Sequence, residues 1–422
     1  MPEIDTGNTA WVLVSTALVL FMVPGLAFFY AGMVRSKNAL GMLMQNFFSL
    51  GLVSVLWVIL GFSLAFGEDV GGGLVGALDH VGLANLAEIP GFGDGALSIP
   101  PMAFVAFQMM FAVITPALIT GATADRLKFS AWVLFLGIWS IIVYPVVAHW
   151  VFSPGGWLFQ RGALDFAGGT VVHINAGIAA LALIVVLGKR KGWPGEAMPP
   201  HSLPLTLLGT GILWFGWFGF NAGSALGANA VAAQALMNTH IAAAAAMCGW
   251  LVVERLKGGH ATTLGAASGA VAGLVAITPC AGFVGIWGSL LIGVIAGAVC
   301  FLAIQLKFRL GYDDSLDVIA VHLVGGIIGS VLLGLLADSS VNEAAPDGLL
   351  LGGGTGLLVN QLIAVGATLA FSGIISLVLA KVLDISIGLR IDDDQEAQGL
   401  DLSQHAESAY SLGDIRSMGK VA

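Results

Sequence analysis

Two stretches of this sequence combine an aspartate and a histidine with a hydrophobic run. In the first, Asp165 is followed by Phe166-Ala167-Gly168-Gly169, and His173 stands inside an apolar segment that continues to about Leu187. An ionisable side chain within a membrane span is costly and by default marks a functional site. The glycine pair predicts non-helical backbone or a tight helix entry at membrane depth, which is tolerated only where protein or a cavity covers it.

The second stretch repeats this order. Leu316-Asp317 is followed by Val321-His322 and then by another apolar, glycine-rich run. The alternative is that the two histidines are unrelated core residues, each satisfied by a neighbour. Because the two histidines occupy matching positions in two halves of the chain, a shared role is favoured.

The composition defines the class of protein. Of 422 residues, 57% are hydrophobic and 10% are charged, and the mean hydropathy is +0.93. Because a soluble domain has about 25% charged residues, the chain is predicted to be a polytopic membrane protein. The 59 glycines suit close helix packing. The net charge of −9 gives no indication of a nucleic-acid partner, and the three cysteines lack the spacing of a disulfide or metal framework.

The hydropathy pattern predicts an all-α membrane protein with eleven transmembrane helices, since a span needs about 20 apolar residues. Only Pro279 to Gly282 separates the eighth span from the ninth. The predicted spans are about 10–32, 41–67, 101–122, 129–152, 170–188, 203–224, 231–253, 263–280, 284–306, 316–336 and 353–388.

The basic residues predict the orientation, because Lys and Arg collect on the cytoplasmic side. With the N-terminus outside and the C-terminus inside, 15 of the 16 basic residues lie inside, and only Arg161 lies outside. The loop of about 68–100 contains acids but no Lys or Arg, and it is interpreted as a solvated loop rather than a cation trap. The inside residues are Arg35, Lys37, Arg126, Lys128, Lys189, Arg190, Lys191, Arg255, Lys257, Lys307, Arg309, Lys381, Arg390, Arg416 and Lys420; the loop acids are Glu68, Asp69, Asp79, Glu88 and Asp94.

The two Asp–His stretches fall at the fifth and tenth spans, which indicates an internal repeat. A repeat of five spans must be inverted in the membrane, as in many transporters. The predicted repeats are about 10–188 and 203–336, with an eleventh helix at 353–388. Residues 1–390 form the predicted transmembrane domain, and residues 391–422 form a cytoplasmic tail.

Aromatic side chains share helical faces near the predicted outer surface. Trp217, Phe220 and Ser224 are spaced i, i+3 and i+7, and Phe107 and Phe111 are spaced i and i+4. Aromatic faces and a hydroxyl can bind a small cation by cation–π attraction and a hydrogen bond. The alternative is an aromatic core stripe or an interfacial belt.

The sequence from Asp165 to His173 resembles the signature of the ammonium transporter (Amt/Mep/Rh) family. Similar motifs occur at Pro24 to Gly32, Gly216 to Ser224, Asp317 to His322 and Gly399 to His405. The resemblance covers essentially the whole chain and is strongest to the bacterial Amt branch. It implies a multi-pass protein of the cell membrane that is a homotrimer with one pore per subunit, carries ammonium or its analogue methylammonium, and is neither an enzyme nor a cofactor or metal protein.

The resemblance also implies roles for individual residues. Ammonium would be recruited at an outer site, lose its proton near a stacked aromatic gate, and cross an apolar pore as ammonia. The outer site would be Phe107, Phe111 and Ser224 with Trp217 nearby, the gate Phe111 and Phe220, the pore pair His173 and His322, and the structural or electrostatic acids Asp165 and Asp317. The segment from Gly399 to Tyr410 would be a regulatory arm that docks a PII signalling protein, the alternative being a disordered tail.

One position departs from the family pattern. The outer site of the family usually includes a tryptophan about a dozen residues before the signature aspartate, and here Phe152 takes that position. Phe gives weaker cation–π attraction than Trp and has no N–H donor, so the departure bears on affinity and on recruitment itself. Trp150 is the alternative, after a shift of the loop.

Three other functions share some of these features. A non-conducting ammonium sensor would use the same outer site. A membrane enzyme would need a nucleophile–base or metal constellation, and no ligand spacing such as HExxH accompanies His149, His173 and His322. A carbon dioxide channel shares the fold expected for Rh relatives, and competition between methylammonium and ammonium would separate it.

Overall fold

The computed structural model describes residues 4–88 and 97–410. Some sequence predictions lie outside this part of the chain. They are those on Asp94, on Arg416 and Lys420, and on residues 411–422 of the tail.

The described chain is almost entirely helical, and it is a multi-pass membrane protein. Ten of its helices are long and apolar enough to cross a membrane, and an eleventh apolar helix, α8, is shorter with 15 residues. The weakest predicted boundary corresponds to two separate helices, α8 and α9. The helices are α1 Thr6–Met33, α2 Ser36–Phe66, α3 Pro101–Thr123, α4 Phe129–Ile142 continued by Tyr144–Phe152, α5 Gly169–Leu187, α6 Leu203–Gly223, α7 Ala230–Gly258, α8 Thr263–Ile277, α9 Ile286–Leu310, α10 Ile319–Leu336 and α11 Gly356–Ile387.

Several of these helices are locally irregular. α2 begins with a 3₁₀ turn at Ser36–Asn38 and contains a π-helical turn at Trp57–Gly61. α5 and α10 both begin as π-helix, over Gly169–Ile174 and Ile319–Val324. Such π-helical turns are rare and often occur at functional sites, so the matching starts of α5 and α10 locate a region of interest.

Small residues allow the helices to approach closely. A Cβ atom on Gly209 of α6 would lie 2.2 Å from the backbone nitrogen of Phe29 in α1. A Cβ on Gly293 of α9 would lie 2.4 Å from the carbonyl oxygen of Ala242 in α7. Backbone-to-backbone contact of this kind is the usual means of packing helices in membranes, where lipid removes the hydrophobic driving force.

The loop after α2, which the sequence predicts to lie outside, is folded and packs against α4. It contains the antiparallel strands β1 Asp69–Val70 and β2 Val75–Gly76, with short 3₁₀ turns at Val81–Leu83 and Leu86–Glu88. The carboxylate of Asp69 accepts the Gly73 N–H at 2.7 Å and lies 3.2 Å from Nε2 of His149. The Gly73 N–H lowers the pKa of Asp69, so this acid has a structural use within the loop.

Loops that the predicted orientation assigns to the same side are in contact. The buried guanidinium of Arg126 donates to the carbonyl oxygens of Gly188 at 2.8 Å and Asp313 at 2.6 Å. At the opposite end, Asn360 donates to the carbonyl oxygen of Arg161 at 2.8 Å. These contacts agree with helices that alternate in direction along the chain.

A buried ion pair strengthens the first of these loop clusters. Arg190 lies 2.8 Å from Asp313 and is also bonded to it through its backbone N–H. Burial opposes ionisation of Asp313, but the Arg190 guanidinium outweighs that effect and holds the pKa of the carboxyl below its ordinary value. The pair therefore fixes the connection after α5 to the one after α9.

The tail from Asp392 to Tyr410 docks on the same end of the molecule as this cluster. It forms the short helices α12 Asp393–Gln398 and α13 Leu400–His405. Glu396 lies 2.5 Å from Arg390, and the carboxylate of Asp401 accepts the backbone N–H of Gly41 in α2 at 2.8 Å. The Asp401 contact joins the tail to the first turns of α2.

Candidate functional site

The two histidines of the repeated stretches meet in the interior of the molecule. Their Nδ1 atoms are 3.2 Å apart, and their ring centroids are 5.3 Å apart at an interplanar angle of 23°. His173 lies in the π-helical start of α5 and His322 in that of α10. A contact between two imidazole nitrogens requires that one donate and the other accept, so the pair shares one N–H.

A small cavity borders the histidine pair. Its volume is about 10 Å³, enough for one water-sized molecule. Trp217 stacks on His173 with ring centroids 5.5 Å apart, and its Nε1 donates to Oγ1 of Thr278 at 2.9 Å. Apart from the two imidazoles and Trp217, the walls are apolar side chains, namely Met22, Leu26, Phe29, Ile114, Leu118, Val172, Leu213, Phe220 and Val271. The cavity therefore suits a small neutral molecule and disfavours an ion.

Two phenylalanine rings separate this cavity from a larger one. The Phe111 and Phe220 rings have centroids 4.3 Å apart and are inclined by 30°. Phe111 lines the larger cavity, whereas Phe220 lines the small one. A molecule passing between the two cavities must displace or pass these rings.

The larger cavity, called the outer cavity because it lies on the side predicted to be outside, has a volume of about 410 Å³. The hydroxyl of Ser224 donates to the Phe220 carbonyl oxygen at 2.8 Å, which leaves its lone pairs to accept a hydrogen bond. Aromatic and polar side chains line the cavity together, among them Phe104, Gln108, Phe111, Phe152, Asp165, Phe166, Ser224, Asn229 and Phe283.

The structure distinguishes between Phe152 and Trp150. Phe152 lines the outer cavity. Trp150 is buried elsewhere, where its Nε1 donates to the Leu74 carbonyl oxygen at 2.8 Å and its ring packs 4.9 Å from that of Phe371. Trp150 is therefore engaged in packing the outer loop and α11 and does not replace Phe152.

Two other predicted outer residues lie elsewhere. Phe107 is fully buried behind Phe111, with ring centroids 5.0 Å apart, and the outer cavity is lined instead by Phe104 one turn earlier. Trp217 borders the small cavity at the histidines rather than the outer one. The i and i+4 spacing could not distinguish the ring that faces the cavity from the one that supports it.

Asp165 closes the N-terminus of α5. Its carboxylate accepts five hydrogen bonds, from the backbone N–H groups of Gly168, Gly169, Thr170 and Val171 and from the Thr170 hydroxyl, at 2.5–3.2 Å. Such bonding satisfies the free N–H groups at the start of a helix. Asp165 thus holds the segment that carries His173, and it places a carboxylate on the wall of the outer cavity.

The hydrogen bonds identify Asp314, not Asp317, as the counterpart of Asp165. Asp314 accepts the Ile319 N–H at the start of α10 at 2.7 Å, whereas Asp317 forms an ion pair with Lys307 at 2.5 Å. Burial, aided by the Asp317 charge, raises the pKa of Asp314 to about 6. The repeated Leu-Asp pattern that paired Asp165 with Asp317 therefore matched the wrong aspartate. The sequence did contain the correct signal, an eight-residue spacing in both halves (165 to 173 and 314 to 322).

Across residues 4–88 and 97–410, no three His, Cys, Asp or Glu side chains lie close enough together to hold a metal ion. A polar cavity, an aromatic barrier and an apolar cavity in sequence within a bundle of membrane helices favour a transporter or channel.

Comparison with known proteins identifies the family to which this chain belongs. Residues 10–410 match the model of the Ammonium Transporter Family. The chain is 54% identical to an ammonium transporter of Mycobacterium tuberculosis over 97% of its own length and 91% of the relative. The chain therefore belongs to the ammonium transporter family, whose members are transporters or channels rather than enzymes.

Solved structures agree with this assignment. The crystal structure of Saccharomyces cerevisiae Mep2 superposes with a TM-score of 0.85 at 37% identity, covering 92% of this chain and 91% of the other. A structure described as a sensor Amt protein superposes with a TM-score of 0.86 at 30% identity, covering 94% and 98%. The fold is thus similar both to Mep2 and to an Amt protein described as a sensor.

Proposed function

We propose that this protein recruits ammonium in the outer cavity and conducts ammonia past His173 and His322. The observation that carries the proposal is the sequence of environments along one path. A polar cavity of about 410 Å³ with aromatic walls is followed by the Phe111–Phe220 barrier and then by an apolar cavity of about 10 Å³ at the histidines.

The outer cavity has the chemistry that a small cation requires. The faces of Phe111 and Phe152 offer cation–π attraction, and the free lone pairs of Ser224 accept an N–H. The Asp165 carboxylate adds negative potential, although the hydrogen bonds to its own helix entry occupy both oxygens. Recruitment by these groups accounts for binding but not for selectivity against potassium.

Selectivity follows from the barrier and the inner cavity. A cation taken into a low-dielectric interior pays a desolvation penalty of several kcal/mol even after relaxation. Ammonium avoids most of this cost by leaving its proton near Phe220 and continuing as ammonia, whereas potassium cannot lose its charge. The shared N–H of the histidine pair offers a hydrogen-bonding partner to ammonia and a path for the proton.

The test is current on solid-supported membranes that carry proteoliposomes of the purified protein. An ammonium pulse is expected to evoke a current or, for electroneutral conduction, a change in an internal pH dye, and a potassium pulse is expected to evoke neither. His173→Ala and His322→Ala are expected to lower ammonium flux or its selectivity over potassium. His260→Ala is the matched control, because His260 is exposed in the connection between α7 and α8. Unchanged flux and selectivity in both pore variants would refute the role of the pair.

A non-conducting sensor is the second candidate, favoured by the similarity to the sensor Amt structure. Such a protein would bind ammonium in the outer cavity and give neither current nor internal pH change. Ammonium-dependent thermal stabilisation without flux would therefore support the sensor, and flux would exclude a purely sensing role.

We also propose a homotrimer in the cell membrane, with the N-terminus outside and the tail inside. An exposed imidazole in the middle of α7 supports the oligomer. His240 lies about 15 Å from the Ala230 end of α7, near the centre of a hydrocarbon core about 30 Å thick. It has no hydrogen-bonding partner within the described chain, and its ring lies 5.4 Å from that of Trp214. A second copy can provide the partner that lipid cannot.

The docked tail is proposed to be regulatory, with a PII signalling protein as its partner. Asp401 of α13 contacts the first turns of α2, and Glu396 of α12 contacts the connection after α5, so a protein bound to the tail could influence both. Truncation after residue 391 tests this proposal. Retention of full activity and of any PII binding would refute it.

A further inference from the structure

A buried histidine near the end of α4 contacts two acceptors at once. His149 is fully buried and stands three residues before Phe152, which lines the outer cavity. Its Nδ1 lies 2.9 Å from the carbonyl oxygen of Ala65 in the last turn of α2. Its Nε2 lies 3.2 Å from the carboxylate of Asp69 in β1. The imidazole therefore joins the end of α2, the loop that follows it and the last turn of α4.

The two contacts define the charge of the imidazole. A carbonyl oxygen can only accept a hydrogen bond, so Nδ1 must carry a proton toward Ala65. The oxygen of Asp69 that faces Nε2 also accepts the Gly73 N–H at 2.7 Å, and this bond lowers the pKa of the carboxyl and favours its ionised form. An ionised carboxylate is likewise only an acceptor, so Nε2 must carry a second proton. A ring that donates from both nitrogens is an imidazolium.

The surroundings of this ring stabilise a positive charge. Ala65 belongs to the last turn of α2, where the carbonyl groups lack helical partners and the helix carries partial negative charge. Asp69 supplies a full negative charge on the other side of the ring. Removal of one member of such a pair is costly, because the buried charge that remains is left without a partner. The pair is therefore a firm link between the elements that it joins.

The link acts on the segment of α4 that forms a wall of the outer cavity. The carbonyl oxygen of His149 accepts the Ser153 N–H at 3.3 Å, and α4 ends there, directly after Phe152. The chain beyond this point is tied to the same loop, because the Trp157 N–H donates to the Gly73 carbonyl oxygen at 3.2 Å. The orientation of the Phe152 ring thus depends on a turn that the loop after α2 holds from two sides.

We infer that His149 is a positioning residue for ammonium recruitment: as an imidazolium paired with Asp69, it holds the last turn of α4 so that the Phe152 ring faces the outer cavity. The inference rests on the proposed recruitment of ammonium in that cavity. Because Asp69 compensates the charge of the ring, the pair fixes the turn without placing net positive charge near a cation site. An uncompensated imidazolium would repel ammonium, and a neutral imidazole would leave one of its two acceptors without a donor.

Nitrogen NMR of the full chain tests the charge of the ring. The protein is prepared with isotope-labelled histidine, reconstituted in proteoliposomes and measured at neutral pH, and the His149 signals are those that His149→Gln removes. Both ring nitrogens of His149 are expected to carry a proton, and Asp69→Asn is expected to leave only one protonated. A single protonated nitrogen in the wild type would overturn the inference. This measurement requires neither ammonium nor transport, so its failure is distinct from a failure of the proposed function.

Ammonium titrations test the positioning role. His149→Gln should raise the half-saturating ammonium concentration about two- to fivefold, the factor that loss of one cation–π contact at the Phe152 ring would give, with little change in maximal current. Because His149 acts through Phe152, the double variant with Phe152→Leu should show no further increase. An unchanged half-saturating concentration in His149→Gln, or additive effects in the double variant, would overturn the positioning role.

His80→Gln is the matched control. His80 is also a buried histidine next to an aspartate of the same loop, but its Nδ1 lies 3.0 Å from the Ala84 carbonyl oxygen within that loop. His80→Gln should leave the half-saturating concentration unchanged, and an equal increase there would assign the effect to general loosening of the loop and overturn the inference. Asp69→Asn, which preserves side-chain size, should raise the half-saturating concentration in the same direction as His149→Gln. Ammonium-dependent thermal stabilisation measures the same shifts in a protein that binds ammonium without conducting it.

Discussion

Replacement of Phe152 by tryptophan should strengthen ammonium recruitment. Phe152 lines the outer cavity, whose volume of about 410 Å³ leaves room for the larger indole. Trp is the strongest cation–π partner among the aromatic side chains, and it adds an N–H dipole at the cavity wall. The change therefore restores the residue type that the family pattern places near this position.

The size of the effect follows from the exposure of the site. A cation–π contact contributes about 0.5–1 kcal/mol at exposed sites and about 2 kcal/mol when desolvated. The outer cavity is open to solvent on one side, so the gain of Trp over Phe should be about 0.5–1 kcal/mol. This corresponds to a half-saturating ammonium concentration about two- to fivefold lower. Phe152→Leu should raise that concentration by a similar factor, because it removes the aromatic face and keeps the bulk.

The assay is the peak current on solid-supported membranes as a function of ammonium concentration. The maximal current should change little in Phe152→Trp, since the inner barrier and the histidine pair are untouched. If the protein proves to be a sensor, the same shift is expected in ammonium-dependent thermal stabilisation.

Trp150→Phe provides the reciprocal control. It removes the hydrogen bond to the Leu74 carbonyl oxygen and should lower thermal stability, at a cost of about 1 kcal/mol, without shifting the half-saturating concentration. If instead Trp150→Phe weakened recruitment and both Phe152 variants behaved as the wild type, the assignment of the outer cavity would be wrong.

Three further predictions concern stability and assembly. Because the pKa of Asp314 is raised to about 6, the stability of the protein should fall as pH rises from about 4 to 6. Asp314→Asn should remove that fall and raise the melting temperature at pH 8 relative to the wild type, and an unchanged melting profile would contradict this prediction. The pKa of Asp69 is lowered, so the contribution of its carboxylate to folding stability should be complete at neutral pH and lost as pH falls below about 4. The melting temperature of Asp69→Asn should lack this decrease at acidic pH. His240→Leu should weaken the trimer in native mass spectrometry by about 1 kcal/mol per interface, whereas a more stable trimer would mean that His240 faces lipid.

The sequence predicted the helices well because hydrophobic length is a property of the chain alone. The predicted spans 263–280 and 353–388 correspond to Thr263–Ile277 and Gly356–Ile387. The π-helical starts of α5 and α10 could not be predicted. At both starts a carboxylate from the preceding loop accepts backbone N–H groups, that of Asp165 at α5 and that of Asp314 at α10, and such contacts form only once the loop has turned.

The error over Asp317 has a related cause. Its Leu-Asp pattern repeats that of Asp165, but Asp317 adopts a backbone φ of 62° and its carboxylate pairs with Lys307 instead of the helix entry. Which of two nearby aspartates reaches the N–H groups depends on the turn between them. A local pattern does not encode that turn, whereas the equal spacing to the histidine reflects the geometry of the helix start itself.

The proposed conduction path depends on the two halves together. His173 and His322 are separated by 149 residues, and each half contributes one imidazole to the contact. Their approach requires α5 and α10 to touch at backbone level, because a Cβ on Gly177 would lie 2.6 Å from the backbone nitrogen of Leu323. The sequence could therefore identify the two histidines as candidates, each costly in a membrane when alone. The close approach of the two halves at Gly177 could not be read from either half alone.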